Sequence, residues 1–265
     1  MKNVIRNRRV QESIRRFRCS FLQSGREKLF NVLPAQELAR AVQEEVGVWR
    51  DRRYAPLVAL RLFVEQVLHT DHACQDVVVR YASERVAQGE AQVSLSTGPY
   101  CNARQRLPLG LVERLGKSVG ERLEGGSTAG WKWRGRSVKI VDGTTVTMPD
   151  TEDNQARYPQ HSGQKAGLGF PIARLVALVS LGCGVVLNWA MGPYKGKQTG
   201  EDALFRLLYG SLVKGDIVLA DRYHCSYFTV AVLYLMGVDV LTRQHARLVT
   251  DFRRGQRLGK RDHMV

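Results

Sequence analysis

The stretch that decides the fold is Val138-Lys139-Ile140-Val141-Asp142, in which a mostly apolar run leads into a carboxylate. A second stretch of the same kind, Asp216-Ile217-Val218-Leu219-Ala220-Asp221, follows far downstream. Both patterns predict short buried strands. A carboxylate at the mouth of a buried strand is costly unless a cation or hydrogen-bond donors compensate its charge. Two such aspartates on neighbouring strands would offer the oxygen ligands that Mg²⁺ prefers, with Mn²⁺ as a substitute.

The segments after residue 136 predict strands and helices in the order β-β-β-α-β-α-β. The apolar stretch from Leu175 to Met191 is divided by a Gly-Cys-Gly turn and predicts a hairpin. Thr199-Gly200-Glu201-Asp202 has the form of a capping box and predicts the start of the first helix. Antiparallel strands followed by right-handed crossovers predict an α/β fold with a mixed sheet, in which strand one is central and strand four lies beside it. This order would bring Asp142 and Asp221 together.

Upstream of the predicted sheet, residues 34–124 carry helical periodicity, and Pro34 is suited to opening the first helix. The segment Ser96 to Tyr100 predicts a turn. The small residues from Gly125 to Gly130 predict a linker. We therefore predict four parts: an all-α region over 1–124, a linker over 125–135, the sheet domain over 136–246 and a further segment over 247–265.

The composition indicates a polyanionic partner. The 265 residues carry a net charge of +15 and 44% hydrophobic residues, and the pI is near 10.0. Each phosphate that a basic protein neutralises releases counterions, which favours nucleic acid, although a merely basic protein of the ribosomal type is the alternative. Basic residues are concentrated in the first 30 positions. The candidates there for phosphate contact are Arg8, Arg9, Arg15 and Arg16, with a solvated helix as an equal alternative.

Several other classes of protein are disfavoured by the sequence. The five cysteines include no C-x-x-C pair, which fits a reducing cytoplasm and argues against disulfides or a zinc knuckle. His69, His72 and Cys74 lack a fourth ligand at zinc-like spacing. The segment Gly192 to Gln198 departs from a P-loop in both its glycine spacing and its last residue. The longest apolar stretch is interrupted by glycines, so no membrane span is predicted.

Short motifs distributed from about residue 30 onwards carry a family resemblance. They are Cys74-Gln75-Asp76 with Tyr81; Thr97-Gly98-Pro99-Tyr100-Cys101 through Arg104, Arg106, Leu107 and Pro108; Val141-Asp142-Gly143-Thr144; Met148-Pro149-Asp150-Thr151 with Asn154-Gln155 and Tyr158-Pro159-Gln160; Gly167-Leu168-Gly169-Phe170-Pro171; Ala220-Asp221-Arg222-Tyr223; and Asp251-Phe252-Arg253-Arg254-Gly255. Through them the chain resembles the DDE transposases of bacterial insertion sequences, in the group named after insertion sequence four.

The resemblance implies an RNase H-like catalytic domain that uses Mg²⁺ to cut transposon ends and join them to target DNA. It implies a homodimer that holds DNA ends in a synaptic complex, in the bacterial cytoplasm at the nucleoid. Asp142 and Asp221 match the family's first two acids. Arg222, Arg243 and Lys165 are candidates for relieving the charge of carboxylates and phosphate. For Arg222, an ion pair with Asp221 is the alternative role.

The family's third acid is a glutamate in a later Tyr-Arg-Glu-Lys signature, usually after an inserted β-rich segment, and this sequence stops before it. The resemblance therefore implies a C-terminally truncated transposase, in which residues 247–265 begin the insertion and catalysis is impaired. The resemblance also implies that the helical region over 1–124 binds DNA ends, so the alternative is a non-catalytic remnant that binds DNA through this region or inhibits transposition. A general nuclease is a weaker alternative.

Overall fold

The computed structural model describes residues 32–46, 53–91, 93–163, 165, 167–224, 226–244, 251, 253–260 and 262–264. Within the chain two compact units are distinguished, Met1–Arg122 and Leu123–Val265. The described part of the first unit is helical, and the second unit contains the sheet.

Each described helix of the first unit begins beside a proline or after a residue with extended backbone. Pro56 occupies the first turn of its helix, where the missing N–H costs nothing. Pro99 acts in the same way, so the turn predicted at Ser96–Tyr100 is wrong from Gly98 onwards, where a helix already begins. The helices are α1 (Ala35–Val46), α2 (Pro56–Leu68), α3 (Cys74–Ala87), α4 (Gly98–Gln105) and α5 (Leu109–Gly125), which continues into the second unit.

A buried polar side chain, Gln66, links three parts of the helical unit. Its Oε1 accepts hydrogen bonds from Tyr100 Oη at 2.7 Å and from Arg104 Nη1 at 3.0 Å. Its Nε2 donates to the backbone oxygen of His72 at 2.7 Å and contacts Cys74 Sγ at 3.3 Å. Because a buried amide is costly unless it is bonded, this network fixes α2 against α4 and the turn before α3.

The second unit is built on a five-stranded sheet in the order β3-β2-β1-β4-β5. The β1–β2 and β2–β3 pairs are antiparallel, and the β1–β4 and β4–β5 pairs are parallel. This confirms the prediction of an α/β fold with a mixed sheet, and the hairpin is present as β2 and β3. The strands are β1 (Val138–Thr147), β2 (Ile172–Ser180), β3 (Val186–Pro193), β4 (Ile217–Ala220) and β5 (Asp239–Thr242).

In the described part of the second unit, three α-helices follow the start of β1: α6 (Glu152–Arg157), α7 (Glu201–Arg206) and α8 (Tyr227–Leu235). The predicted order omitted α6, which begins where Thr151 Oγ1 accepts the N–H of Asn154. The predicted capping box at α7 is wrong in its cap: Gly200 is the N-cap, and the hydroxyl of Thr199 instead donates to the oxygen of Gly196. None of the helices in the described part of the chain has both the length and the apolar character needed to cross a bilayer.

The core of the second unit lies between the sheet and α7 and α8. Val141 and Val176 contribute from the sheet, and Phe205 and Leu233 from the two helices, all of them almost fully buried. Beyond β5, the chain forms a small antiparallel hairpin of β6 (Gln256–Gly259) and β7 (Asp262–Met264), and the sequence pattern predicts neither strand.

The start of α8 provides a test of local stability. Ser226 Oγ accepts the N–H of Thr229 at 3.1 Å and thereby satisfies a donor at the helix N-terminus. We expect Ser226→Ala to lower the free energy of unfolding by about 1 kcal/mol in urea denaturation. Ser83→Ala, at an exposed helical position without a capping role, is the control; equal effects of both changes would contradict the assigned cap.

Candidate functional site

The register of the parallel pair β1–β4 determines where the two predicted aspartates stand. The last paired residues are Ile140 and Leu219. Continued for two residues beyond the paired segment, this register would bring Asp142 level with Asp221, which directly follows the last residue of β4. Side chains two positions apart in a strand share a face, so Asp142 lies on the face of Ile140, and Asp221 would follow Leu219 on that face if the strand geometry continued.

Each of these carboxylates is exposed, and its hydrogen bonds within the described part of the chain come from nearby backbone. Asp142 Oδ1 accepts the N–H of Gly143, and Asp221 Oδ1 accepts the N–H of Tyr223, both at 2.8 Å. Asp142 does not open a turn, because β1 continues to Thr147. Among the described residues no basic side chain forms an ion pair with either aspartate, so both retain oxygen lone pairs for a cation.

The predicted basic residues have different positions relative to this edge. Asp221 and Arg243 each directly follow the last paired residues of β4 and β5, Ala220 and Thr242. Thr242 Oγ1 donates to the backbone oxygen of Asp221 at 2.7 Å and fixes these two strand ends together. Arg222 is exposed in the 3₁₀ turn that follows Asp221. Lys165 is exposed in the loop before β2, and no described contact joins it to the aspartates.

The four arginines proposed for the N-terminal region, Arg8, Arg9, Arg15 and Arg16, lie outside the described residues. Their role in contacting phosphate stays a prediction.

A histidine that sequence reasoning missed fixes the turn after Asp221. His224 is 2% exposed, and its Nδ1 lies 2.9 Å from Asp202 Oδ1 in the first turn of α7. The ring of Phe205 packs edge-on against His224, with 5.5 Å between the ring centroids. Because His224 lies three residues after Asp221, this contact ties the start of α7 to the carboxyl end of β4.

A separate group of metal-ligating side chains lies in the helical unit. The ligand atoms of His69, Asp71 and Asp76 all lie within 4.8 Å of one another. His69 Nδ1 is 2.9 Å from Asp71 Oδ1 and 3.6 Å from Asp76 Oδ2. The group does not include His72 or Cys74, the other two residues considered from the sequence.

Protein groups contact one carboxylate oxygen of each aspartate in that cluster. The backbone N–H of Ala73 donates to Asp71 Oδ1 at 3.0 Å and, together with the hydrogen bond to His69, holds the pKa of Asp71 below its usual value. Arg80 Nη2 lies 2.7 Å from Asp76 Oδ2. These contacts stabilise the turn between α2 and α3, and we assign this structural role to the cluster.

The described residues define an α/β protein with a mixed sheet, in which Asp142 lies in β1 beyond its pairing with β4, and Asp221 directly follows β4. Carboxylate oxygens are hard donors of the kind that fit Mg²⁺, which binds through one or two carboxylates and keeps several waters. Cation binding by these aspartates and anion binding by Arg222 and Arg243 belong to the proposal below.

Comparisons with known proteins identify transposases among the similar sequences. Over 155 residues, 58% of this chain and 51% of the relative, the chain is 27% identical to the protein named "Putative transposase InsZ" of Escherichia coli (strain K12). Over 171 residues, 62% of this chain and 36% of the relative, it is 27% identical to "Transposase InsG for insertion sequence element IS4" of the same organism. No family model matches the chain.

These similarities support a transposase, in agreement with the resemblance seen in the motifs. The matched region spans about half of the first relative (51%) and about a third of the second (36%). The activity, substrates and partners of the whole protein therefore belong to the proposal that follows.

Proposed function

We propose that this chain acts in DNA transposition as a DDE-type transposase, with the second unit as an RNase H-like catalytic core. The observation that supports this most is the parallel pairing of β1 with β4, whose register, continued for two residues, would align Asp142 with Asp221. The strand order β3-β2-β1-β4-β5 is compatible with such a core. The similarity to two transposases favours DNA over other phosphate-containing substrates.

In this proposal Asp142 and Asp221 hold Mg²⁺, or Mn²⁺ in its place. Bound ions would supply activation of the attacking oxygen and stabilisation of the leaving oxygen during strand cleavage and strand transfer. In this proposal the protein positions the two carboxylates. The paired strands β1 and β4 carry them, and a backbone N–H group orients one oxygen of each. The remaining oxygens stay available for the cation.

The same edge of the sheet offers positive charge for the phosphates of DNA. Arg243 stands level with Asp221, and Arg222 follows it directly. Lys165 and the N-terminal arginines extend the proposed footprint, and the net charge of +15 supplies long-range attraction. We include in the proposal a homodimer that holds two DNA ends.

The experiment that tests this function uses the 265-residue protein and labelled duplexes taken from the DNA that flanks its coding region. A scrambled duplex of the same length is the control substrate. We expect binding that weakens with salt and cleavage that requires Mg²⁺ and favours the flanking sequence. Cleavage of both duplexes at equal rates would indicate a general nuclease instead, and no binding to either would contradict the proposal.

A DNA-binding role without cleavage is the second candidate. It is favoured by one observation: in the described part of the chain, Asp142 and Asp221 are not members of any group of three ligand residues within 4.8 Å. A salt-dependent mobility shift of the flanking duplex with no Mg²⁺-dependent cleavage would select this candidate. Such a protein would interfere with an intact transposase by occupying its DNA ends.

The N-terminal arginines give a quantitative prediction for binding. Each phosphate contact contributes about 0.9 to the slope of log affinity against log salt. Replacing Arg8, Arg9, Arg15 and Arg16 by glutamine should therefore reduce the slope by up to about 3.6 if all four contact phosphate. Mobility shifts at several salt concentrations measure the slope; an unchanged slope would remove these residues from the footprint.

A further inference from the structure

A pocket of about 470 Å³ lies within the helical unit, bordered by the bend before α2, the segment between α3 and α4, and α4 itself. Pockets that hold small molecules have volumes of roughly 300–1,000 Å³. The apolar surface of this pocket comes from Tyr54, Val93 and Pro99. Its positive charge comes from Arg53 and Arg106, and no acidic side chain is among the described residues that line it. The pocket is therefore suited to a small anion with an apolar part.

Helix α3 fixes two walls of this pocket. Tyr81 Oη donates to the backbone oxygen of Arg53 at 3.1 Å and holds the bend before α2. Gln75 Nε2 donates to the backbone oxygen of Leu95 at 3.1 Å and holds the segment that contains Val93. Because these walls are positioned before a ligand arrives, little ordering of the chain opposes binding.

The third wall is one face of α4. Pro99, Asn102 and Arg106 follow one another at intervals of three and four residues, which places them on the same side of a helix. Arg106 is the C-cap of α4 and keeps helical backbone angles. The side chains of Asn102 and Arg106 are exposed at the pocket. This face therefore offers a ligand both an amide, which can donate and accept hydrogen bonds, and a guanidinium.

The hydroxyl of Tyr54 is the feature that points to a ligand. Tyr54 is 5% exposed, and no described residue forms a hydrogen bond with its buried Oη. Its ring packs against those of Tyr81 and Tyr100, with 5.5 and 6.0 Å between the centroids. Both neighbours bond their hydroxyl groups to protein acceptors, Tyr81 to the oxygen of Arg53 and Tyr100 to Gln66 Oε1. A buried hydroxyl without a partner is costly, so a bound acceptor would recover that cost.

The positive charge of Arg53 lies within electrostatic reach of this hydroxyl. Burial raises the pKa of Tyr54, and the charge of Arg53 partly opposes the rise. Tyr54 therefore stays protonated at neutral pH and can donate a hydrogen bond. Arg53 is exposed, and no described acidic side chain forms an ion pair with it. The pocket thus combines a buried neutral donor with a cation at its mouth.

We propose that this pocket binds one unpaired nucleotide of a DNA strand. The base lies against Val93 and Pro99 and accepts a hydrogen bond from Tyr54, and the phosphate is bound at the mouth by Arg53 and Arg106. A base pair does not fit, because the hydrogen-bonding edge that Tyr54 reads is then occupied by the other base. The choice of DNA as the source of the nucleotide rests on the proposed function.

The test uses the 265-residue protein and two labelled five-unit strands of equal charge, measured by fluorescence anisotropy. One strand is abasic throughout, and the other carries a single base at its centre; each of the four bases is tried. We expect the best one-base strand to bind roughly 5- to 100-fold more tightly, the range that corresponds to the stacking of one base. Since both strands carry the same phosphates, attraction to the basic protein as a whole cancels.

Tyr54→Phe removes the hydroxyl without a change of charge. We expect it to weaken binding of the one-base strand roughly 2- to 12-fold, as for one hydrogen bond, and to leave the abasic strand unaffected. The melting temperature should rise, because a buried hydroxyl without a partner is lost. Tyr100→Phe is the matched control: its hydroxyl is bonded to Gln66, so the melting temperature should fall while the preference for the one-base strand persists.

Arg53→Gln tests the phosphate contact. It should weaken binding of both strands roughly 10- to 100-fold, as expected when a hydrogen bond to a charged group is lost. Arg40→Gln, at an exposed position of α1, makes the same change of charge and should have a much smaller effect. Equal effects of the two changes would overturn the role of Arg53.

The outcomes separate this inference from the function on which it rests. Equal binding of the abasic and one-base strands, or an unchanged preference in Tyr54→Phe, would overturn the pocket and leave the proposed function to the cleavage of the flanking duplex. A preference that depends on Tyr54, without any Mg²⁺-dependent cleavage, would support the pocket and contradict the catalytic proposal. If a free mononucleotide displaced the one-base strand at an equal concentration, the ligand would be a free nucleotide, and the assignment to DNA would be overturned. Displacement by inorganic phosphate alone at that concentration would overturn the role of the base.

Discussion

Replacing Asp142 by asparagine is expected to abolish Mg²⁺-dependent DNA cleavage and to leave DNA binding intact. The amide removes the charge that attracts the cation but keeps the size of the side chain. Loss of about 4 kcal/mol of transition-state stabilisation corresponds to roughly a 1000-fold lower rate. Because the substitution also removes a negative charge beside the phosphates, affinity for DNA should stay equal or rise slightly. Single-turnover cleavage and mobility shifts measure the two effects separately.

Asp221→Asn should have the same effect, since the two carboxylates act on the same cation. Asp153→Asn makes the identical chemical change at an exposed position in the first turn of α6 and is the matched control. Cleavage by Asp142→Asn at the unsubstituted rate would contradict the assignment. Loss of DNA binding in step with cleavage would show that Asp142 supports the fold rather than the chemistry.

The largest effect on stability is expected at the buried ion pair of Lys139 and Asp216. The two charged atoms are 2.6 Å apart, and the side chains are only 7% and 4% exposed. Lys139 also donates to the oxygen of Ser211 at 3.1 Å, and Asp216 Oδ2 accepts the N–H of Val213 at 2.8 Å. Lys139→Met leaves a buried carboxylate without its cation, which should lower the free energy of unfolding by about 3–5 kcal/mol.

Urea denaturation at neutral pH measures this loss, with the exposed Lys132→Met as the control. Replacing both partners, as Lys139→Met with Asp216→Leu, should be less damaging than the single change, because no uncompensated charge then stays buried. If Lys139→Met lowered the free energy of unfolding by less than about 1 kcal/mol, water would have to reach Asp216, and the ion pair would contribute little to stability.

The sheet was predictable because its strands carry strong local signals. The mostly apolar runs before Asp142 and Asp221 each end at the aspartate, and the hairpin of β2 and β3 has glycines at its turn. Short sequence motifs predicted the structure less well where a side chain has two possible hydrogen-bond partners. Thr199 has the sequence of a cap, yet its hydroxyl bonds to Gly196, and Gly200 takes the cap position.

The locations of Asp142 within β1 and of Asp221 directly after β4 were predictable from the sequence, and the side chains around them were not. Strand patterns and a right-handed crossover are enough to bring Asp142 towards Asp221. By contrast, the pairing of Asp202 with His224 and the approach of Glu201 to Gly143 depend on where α7 meets the sheet. The sequence shows that Gly143 follows Asp142. No local pattern indicates that the side chain of Glu201, 58 positions later (201 − 143), lies in the space beside this glycine.

The motif residues of the helical unit show a related limit. Cys74, Tyr100 and Arg104 belong to the motifs that carry the family resemblance, and the structure assembles them around Gln66. A motif match gives no distance between residues, so this packing role could not be derived from the sequence. The contacts explain why these residue types occur together without requiring that they touch DNA.

The most direct test of the central claim is backbone cleavage by Fe²⁺ bound in place of Mg²⁺, in the presence of ascorbate and peroxide. Hydroxyl radicals formed at the ion cut the nearby chain, and mass spectrometry locates the cuts. We expect two sets of fragments from one bound ion, with ends near residues 142 and 221, and we expect both sets to be lost in Asp142→Asn. Cuts near only one aspartate, or cuts that persist in that variant, would contradict the claim that the two carboxylates share a cation.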